Sequence, residues 1–234
     1  KNKSEYDKRL SGIKIAVLVE SKYIPEEIEA YQSRFEALGA SVDFISRLFY
    51  NDTDFDDPNW QPSVFYSDVD PNGKNPLEAP TTLSITEKNK DFSQLNLEDY
   101  AAVIMSANYV SVRLRYSDEK LSSPDAHSLV KSPPAVKFFA EAMKEKNIIK
   151  GVLCLGLWML TPHPALLKGR HVTCHKVVMA DIINAGAEID FEQDEGGLYS
   201  PKKIVVDDDL ITGYSKGELT PFIDSIVENV VKRI

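Results

Sequence analysis

The sequence predicts an α/β protein built on a doubly wound, mostly parallel sheet, and three observations carry that reading. Short apolar, β-branched runs recur that are too uniformly hydrophobic to be half-exposed strands. Stretches with helical periodicity alternate with them, as crossover connections between parallel strands require. One apolar run, 148–153, leads directly into Cys154 with Gly156 two places later, the pattern of a nucleophile on a sharp strand-to-helix turn.

The first strand is Ile13-Lys14-Ile15-Ala16-Val17-Leu18-Val19, with one charge in seven residues. Pro25, Glu26 and Glu27 open a helix, since proline suits a first turn and acids favour the positive end of the helix dipole. Ile28, Tyr31, Phe35 and Leu38 follow at helical spacing until Gly39 supplies a stop. Residues 41–46 make a second strand, completing a β-α-β unit. From Asn51 to Lys90 prolines, Asp and Asn dominate, which predicts irregular loop and one hairpin turning at Asp70-Pro71-Asn72-Gly73. Residues 68–73 resemble the start of a calcium loop, but the twelfth position is Ala79 where a bidentate glutamate belongs, so a turn is the expectation.

Residues 100–105 return to a buried strand. Tyr109 to Pro134 is expected to be long and irregular, carrying Arg113, Arg115 and His127. Pro134 then opens an amphipathic helix with Val136, Phe139, Ala140 and Met143 on one face, leading into the Cys154 strand. After the elbow an apolar helical start, a turn over Leu166–Arg170 and a strand over His171–His175 are expected. A helix follows over 178–185, strands at 187–191, 203–206 and 210–213, and a closing helix over 221–234 with Phe222, Ile226, Val230 and Ile234 inward. This organisation implies a short extension over 1–12 and one domain over 13–234, with long loops at about 50–95 and 108–134.

The chain has 234 residues, a formal net charge of -9 and 43% hydrophobic content, which fits a globular α/β domain and lacks the basic face of a nucleic-acid binder. No apolar run approaches the roughly 20 residues of a membrane-spanning helix. Lys1–Leu10 is polar and lacks a signal core, although the absent initiator Met leaves open a removed upstream segment. Two cysteines, Cys154 and Cys174, do not suggest a disulfide framework, so a cytoplasmic setting is the default. No cofactor is expected, and no His/Cys/carboxylate grouping has zinc spacing. The turn at Cys154 would aim the next amides and the helix N-terminus at the sulfur, favouring the thiolate.

The cysteine elbow, Leu-Leu-Lys-Gly-Arg-His-Val-Thr over 166–173, Ile183-Asn184-Ala185-Gly186-Ala187-Glu188 and Val206-Asp207-Asp208-Asp209-Leu210-Ile211-Thr212-Gly213 together resemble the ThiJ/PfpI superfamily. The resemblance implies a flavodoxin-like, three-layer sandwich, a homodimer or higher homo-oligomer, and a catalytic cysteine at Cys154. It also implies a glutamate on the first helix against the sulfur; counting back from Gly39 gives Glu27. A carboxyl beside a thiolate is expected to hold its proton and donate it to sulfur. Some members carry a histidine in the slot of His175, where imidazole would shuttle a proton. Backbone N–H groups of Leu155, Gly156, Ala107 and Asn108 would form an oxyanion hole, with Arg113 reaching the cleft to bind substrate. Leu155 stands where peptidase-like members have histidine, and no His-x-Glu completes a glutaminase triad. The implied activity is cysteine-dependent chemistry on small reactive carbonyls, of the glutathione-independent glyoxalase or deglycase type, or amide hydrolysis. The rivals are a non-catalytic stress protein, acting as redox sensor or holding chaperone, and an intracellular peptidase.

Overall fold

The computed structural model describes residues 7–48, 63–69, 82–85, 87–117 and 119–234. Strand β1 (Lys14–Leu18) leads to helix α1 (Pro25–Ala37), whose Tyr31 and Phe35 are buried. Gly39 ends the helix at φ 95°, where a side chain would be strained and its Cβ would stand 3.2 Å from the Ser11 backbone. Upstream of β1, Leu10 is fully buried and its N–H donates to the Leu38 carbonyl. Strand β2 (Ser41–Ile45) follows, then an antiparallel pair, β3 (Ser63–Tyr66) with β4 (Thr82–Ile85). The turn expected at 70–73, and most of the calcium-like stretch, lie outside the described residues.

After β5 (Ala102–Met105) the segment expected to be irregular holds two short helices, α2 (Val110–Leu114) and α3 (Ala126–Lys131). Their invisibility has a physical reason: α2 is little more than one turn, and α3 buries no residue, so neither has an apolar stripe to read. The Asp125 carboxylate starts α3 by accepting from the Ser128 N–H at 3.1 Å. Helix α4 (Pro134–Lys144) buries Val136, Phe139, Ala140 and Met143 as the periodicity predicts. It feeds β6 (Ile149–Leu153), after which a 3-10 turn at Gly156–Leu160 replaces the expected helix start.

Helix α5 (Pro164–Leu167) and strand β7 (His171–Val172) come next. The strand expected to reach His175 stops early, because the Thr173 N–H turns to the Thr212 hydroxyl at 2.9 Å. His175 becomes the N-cap of α6 (Lys176–Asn184). Strand β8 (Glu188–Ile189) pairs with β7, and β9 (Phe191–Gln193) pairs with β10 (Tyr199–Pro201). The chain closes with β11 (Ile204–Asp207), β12 (Leu210–Gly213) and α7 (Leu219–Val231). Ile234 lies beyond that last helix and is 69% exposed, against the expectation that it faces inward.

The main sheet has the order β11-β12-β6-β5-β1-β2, parallel except for β11. Helices α1 and α7 cover one face, where the rings of Tyr31 and Phe222 lie 6.4 Å apart. On the other face α2 and α4 pack together against the 156–160 turn. The doubly wound, flavodoxin-like sandwich expected from the sequence is the fold observed.

One charge lies deep within this sheet. Lys150 on β6 is fully buried, and its Nζ lies 2.5 Å from Asp209 Oδ2 and 2.6 Å from the Glu145 carbonyl. Arg170 reaches the other Asp209 oxygen at 2.8 Å. Burial holds the Lys150 ammonium below its usual range despite this partner. Burial likewise lifts the Asp209 carboxyl, but Lys150 and Arg170 together hold it below the ordinary carboxylate value. The pair thus ties β6 to the start of β12, the two strands whose ends form the elbow.

Candidate active site

The winding of the sheet reverses between β1 and β5, and a crevice at the carboxyl ends of such strands is where α/β sheets place their ligands. Three segments meet there: the first turn of α1 with Glu27, the end of β5 with Ala107 and Asn108, and the end of β6 with Cys154.

Cys154 sits at φ 62°, a left-handed conformation that costs a residue bearing a Cβ about 1–2 kcal/mol. Its backbone is pinned on both sides, with its N–H donating to the Gly213 carbonyl at 2.9 Å and its carbonyl accepting from the His175 N–H at 3.1 Å. The small residue that an elbow requires is Gly156. A Cβ there would come 2.7 Å from Val152 Cγ1 and 3.0 Å from Met105 Cγ, both on buried side chains. Gly156→Ala is therefore expected to lower stability by about 1–3 kcal/mol through overpacking, read from the denaturant midpoint; an unchanged midpoint would mean the turn has room to spare.

The backbone N–H groups of Asn108 and Leu155 act on the Cys154 sulfur in the sense that favours a thiolate. They do not prevail. Burial, reinforced by the negative charges of Glu27 and Glu218, pushes the thiol above its ordinary value, so the expected low-pKa cysteine is not what the site holds. Asn108 is itself left-handed at φ 63°, a conformation Asn tolerates better than most residues.

Glu27 is fully buried. Its Oε2 accepts from the Tyr31 hydroxyl at 2.6 Å, and both oxygens accept from the Ala107 N–H at 3.0 Å. The Ala107 amide thus serves the glutamate and does not face the cleft as an oxyanion donor. No hydrogen bond joins Glu27 to Sγ; the two groups interact through charge. Burial pushes the Glu27 carboxyl up to about 7, outweighing its hydrogen bonds. A carboxyl raised from 4.5 to about 7 favours folding fully below pH 4.5, and that contribution is lost as pH rises to about 7. It amounts to about 3 kcal/mol. Urea midpoints at pH 5 and pH 8 should show this decline in the native chain and not in Glu27→Gln; parallel declines would mean that another group titrates.

The other anticipated residues are placed as follows. Gly156 packs closely against Val152 and Met105. His175 is half-buried, its Nδ1 accepting from the Val177 N–H at 3.2 Å and its ring tilted on Tyr214 at 5.7 Å. Arg113 is half-exposed and lies 3.7 Å from the buried Glu20 carboxylate. Arg115 braces the turn after the elbow, donating to the Trp158 carbonyl at 3.1 Å and to Thr161 Oγ1 at 3.2 Å. Trp158 is half-buried, with Nε1 donating to Asp181 at 2.8 Å. Cys174 is buried in the core, which pushes its thiol up to about 12. His163 lies at the start of α5, and His171 holds Asp190 and Glu188 at 2.7 and 3.0 Å on the surface. Among the described residues no three His, Cys, Asp or Glu side chains gather as a metal site, and no helix is long and apolar enough to cross a membrane.

Sequence reasoning missed Asp68. Its carboxylate accepts from the Asn108 side-chain amide at 3.1 Å, beside the elbow. Nothing local distinguishes it from the other acids of the 51–90 segment; only the docking of that segment brings it to the site.

A model of the DJ-1/PfpI family matches residues 123–229. Among curated proteins nothing matches the chain. Solved structures are similar over nearly its whole length. A two-domain protein from Anabaena variabilis, with DJ-1/ThiJ/PfpI-like and ferritin-like domains, is 18% identical over 93% of this chain, at a TM-score of 0.66. This chain spans 48% of that protein. A ThiJ/PfpI domain protein from Brachyspira murdochii is 12% identical over 95% of this chain and 98% of its own, at 0.64. Drosophila melanogaster DJ-1beta is 14% identical over 94% and 91%, at 0.62. At these identities the likeness is one of fold.

Proposed function

From a chain of the ThiJ/PfpI superfamily, matched to the DJ-1/PfpI family over residues 123–229 and sharing that fold throughout, we propose a cysteine-dependent enzyme acting on small reactive carbonyl compounds. The observation that carries this reading is the pairing of a left-handed Cys154 with a buried Glu27 whose carboxyl is pushed up to about 7. A group titrating there exchanges protons in both directions at neutral pH.

Sγ of Cys154 adds to the aldehyde carbon while the thiol proton passes to the Glu27 carboxylate. The carbonyl oxygen accepts from the Asn108 and Leu155 N–H groups and takes that proton back from Glu27, which leaves a hemithioacetal hydroxyl and restores the Glu27 carboxylate. With a 2-oxoaldehyde, the Glu27 carboxylate then removes the proton from the former aldehyde carbon and returns it to the neighbouring carbon, while the hydroxyl proton passes to that carbon's oxygen. This internal redox step yields a thioester, and water releases a 2-hydroxy acid and the free thiol. The sum is addition of one water with no external oxidant.

Two rivals receive less support. A redox sensor needs a standing thiolate, whereas the Cys154 thiol, pushed up by burial, would give up its proton to Glu27 only as it reacts. A cysteine peptidase relies on imidazole to protonate its leaving amine, and the His175 ring has its Nδ1 engaged by the Val177 N–H as the cap of α6. The test is formation of 2-hydroxy acid from methylglyoxal without glutathione. Production by the native chain is the expected result, and none at high protein concentration would refute it.

A further inference from the structure

The segment carrying Asp68 is strapped to the β1–α1 connection by its backbone. The Lys22 N–H donates to the Tyr66 carbonyl at 2.6 Å, the Asp68 N–H donates to the Tyr23 carbonyl at 3.0 Å, and Tyr23 and Ser67 form a parallel bridge. The Tyr66 N–H completes the strap by donating to Ser21 Oγ at 3.1 Å. Its fixed end presents Asp68 Oδ2 to Asn108 Nδ2 at 3.1 Å. Asn108 is one of two left-handed residues at the site, and its backbone N–H is one of the two that act on the Cys154 sulfur. A left-handed asparagine can relax toward ordinary backbone angles unless something holds it, and relaxation would swing that N–H off the sulfur. The acceptor on Asp68 fixes the side chain and with it the backbone.

We propose that Asp68 is a positioning residue, which locks Asn108 in its left-handed conformation and so keeps the Asn108 N–H on the reacting sulfur. This deepens the cysteine-enzyme reading and rests on it. The segment most irregular in sequence thereby supplies part of the apparatus around the nucleophile.

The test separates position from charge. Groups that act on Cys154 include Glu27 and Glu218, Cys154 acts in turn on the Cys174 thiol, and those that act on Asp68 include Glu26, Lys22 and Lys216. Asp68 also acts on Glu27 and on the Tyr23 hydroxyl. The readout is the pH dependence of Cys154 alkylation by iodoacetamide in the native chain, Asp68→Asn and Asp68→Ala, with melting temperature measured alongside. Asp68→Asn keeps an acceptor for the Asn108 amide and removes the charge, so the apparent thiol pKa should stay or fall. Asp68→Ala removes both, and the pKa should rise by about one unit as a donor to the thiolate is lost. Equal downward shifts in both variants would make Asp68 a charge only. Lower melting temperatures with unshifted profiles would make it structural only. Either result overturns the proposal while leaving the enzyme reading intact, whereas a native Cys154 that resists alkylation at every pH overturns both.

Discussion

Cys154→Ala is expected to reduce turnover of methylglyoxal by about three orders of magnitude or more, because no second nucleophile stands at the elbow to form the covalent intermediate. Cys174 offers no substitute, being buried with its thiol pushed up to about 12. The effect on stability has the opposite sign to that of an ordinary core truncation. Residue 154 is left-handed, so Cys154→Gly should stabilise the fold by about 1 kcal/mol while being equally inactive. Activity and urea midpoints on the two variants check both halves. Residual turnover near the native level would remove Cys154 from the chemistry. A destabilised glycine variant would mean that the elbow backbone carries no strain.

Lys150→Met is expected to destabilise the protein by about 3 kcal/mol, at the low end for removing one partner of a buried ion pair. The value is at that end because Arg170 still holds Asp209 at 2.8 Å. The remaining carboxylate, 3% exposed, loses the ammonium 2.5 Å away and cannot recover water in exchange. For a chain of this size that corresponds to a fall in melting temperature of about 6–12 °C. Lys150→Met combined with Asp209→Leu should recover part of the loss, because the buried carboxylate is then gone as well. Because the pair joins β6 to β12, and Gly213 at the end of β12 accepts the Cys154 N–H, some activity should be lost even where the variant remains folded. A double variant less stable than the single one would show that the ion pair contributes more than its desolvation costs.

What was legible in the sequence was local. The run Ile13–Val19, the Pro25–Gly39 helix and the Cys154 elbow each announce themselves within a few residues, through apolar pattern, capping chemistry or a glycine at the right offset. What was illegible depends on partners far along the chain. The sequence predicts a strand that reaches His175, yet His175 caps α6 because Thr173 leaves the strand for Thr212, 39 positions away. The family resemblance implies an oxyanion donor at Ala107, whose amide instead donates to Glu27 across 80 positions. The low thiol pKa expected from the turn's amides gives way to burial and to two acids that no local pattern brings together. Helix α3 escaped for the complementary reason: with nothing buried, its formation leaves no hydrophobic trace.

The strap at residues 66–68 is one of two tethers on the same excursion of the chain. Where that excursion returns, Ser46 bridges Asp91, the Ser46 N–H donates to the Lys90 carbonyl, and the Phe92 N–H donates to the Ser46 carbonyl. Both departures from the sheet are therefore fastened to it, one at the end of β1 and one at the end of β2. Between two fixed posts, doubling the length of a loop adds only about 0.6 kcal/mol of closure entropy. The strap therefore keeps Asp68 beside Asn108 whatever the length of chain between the posts.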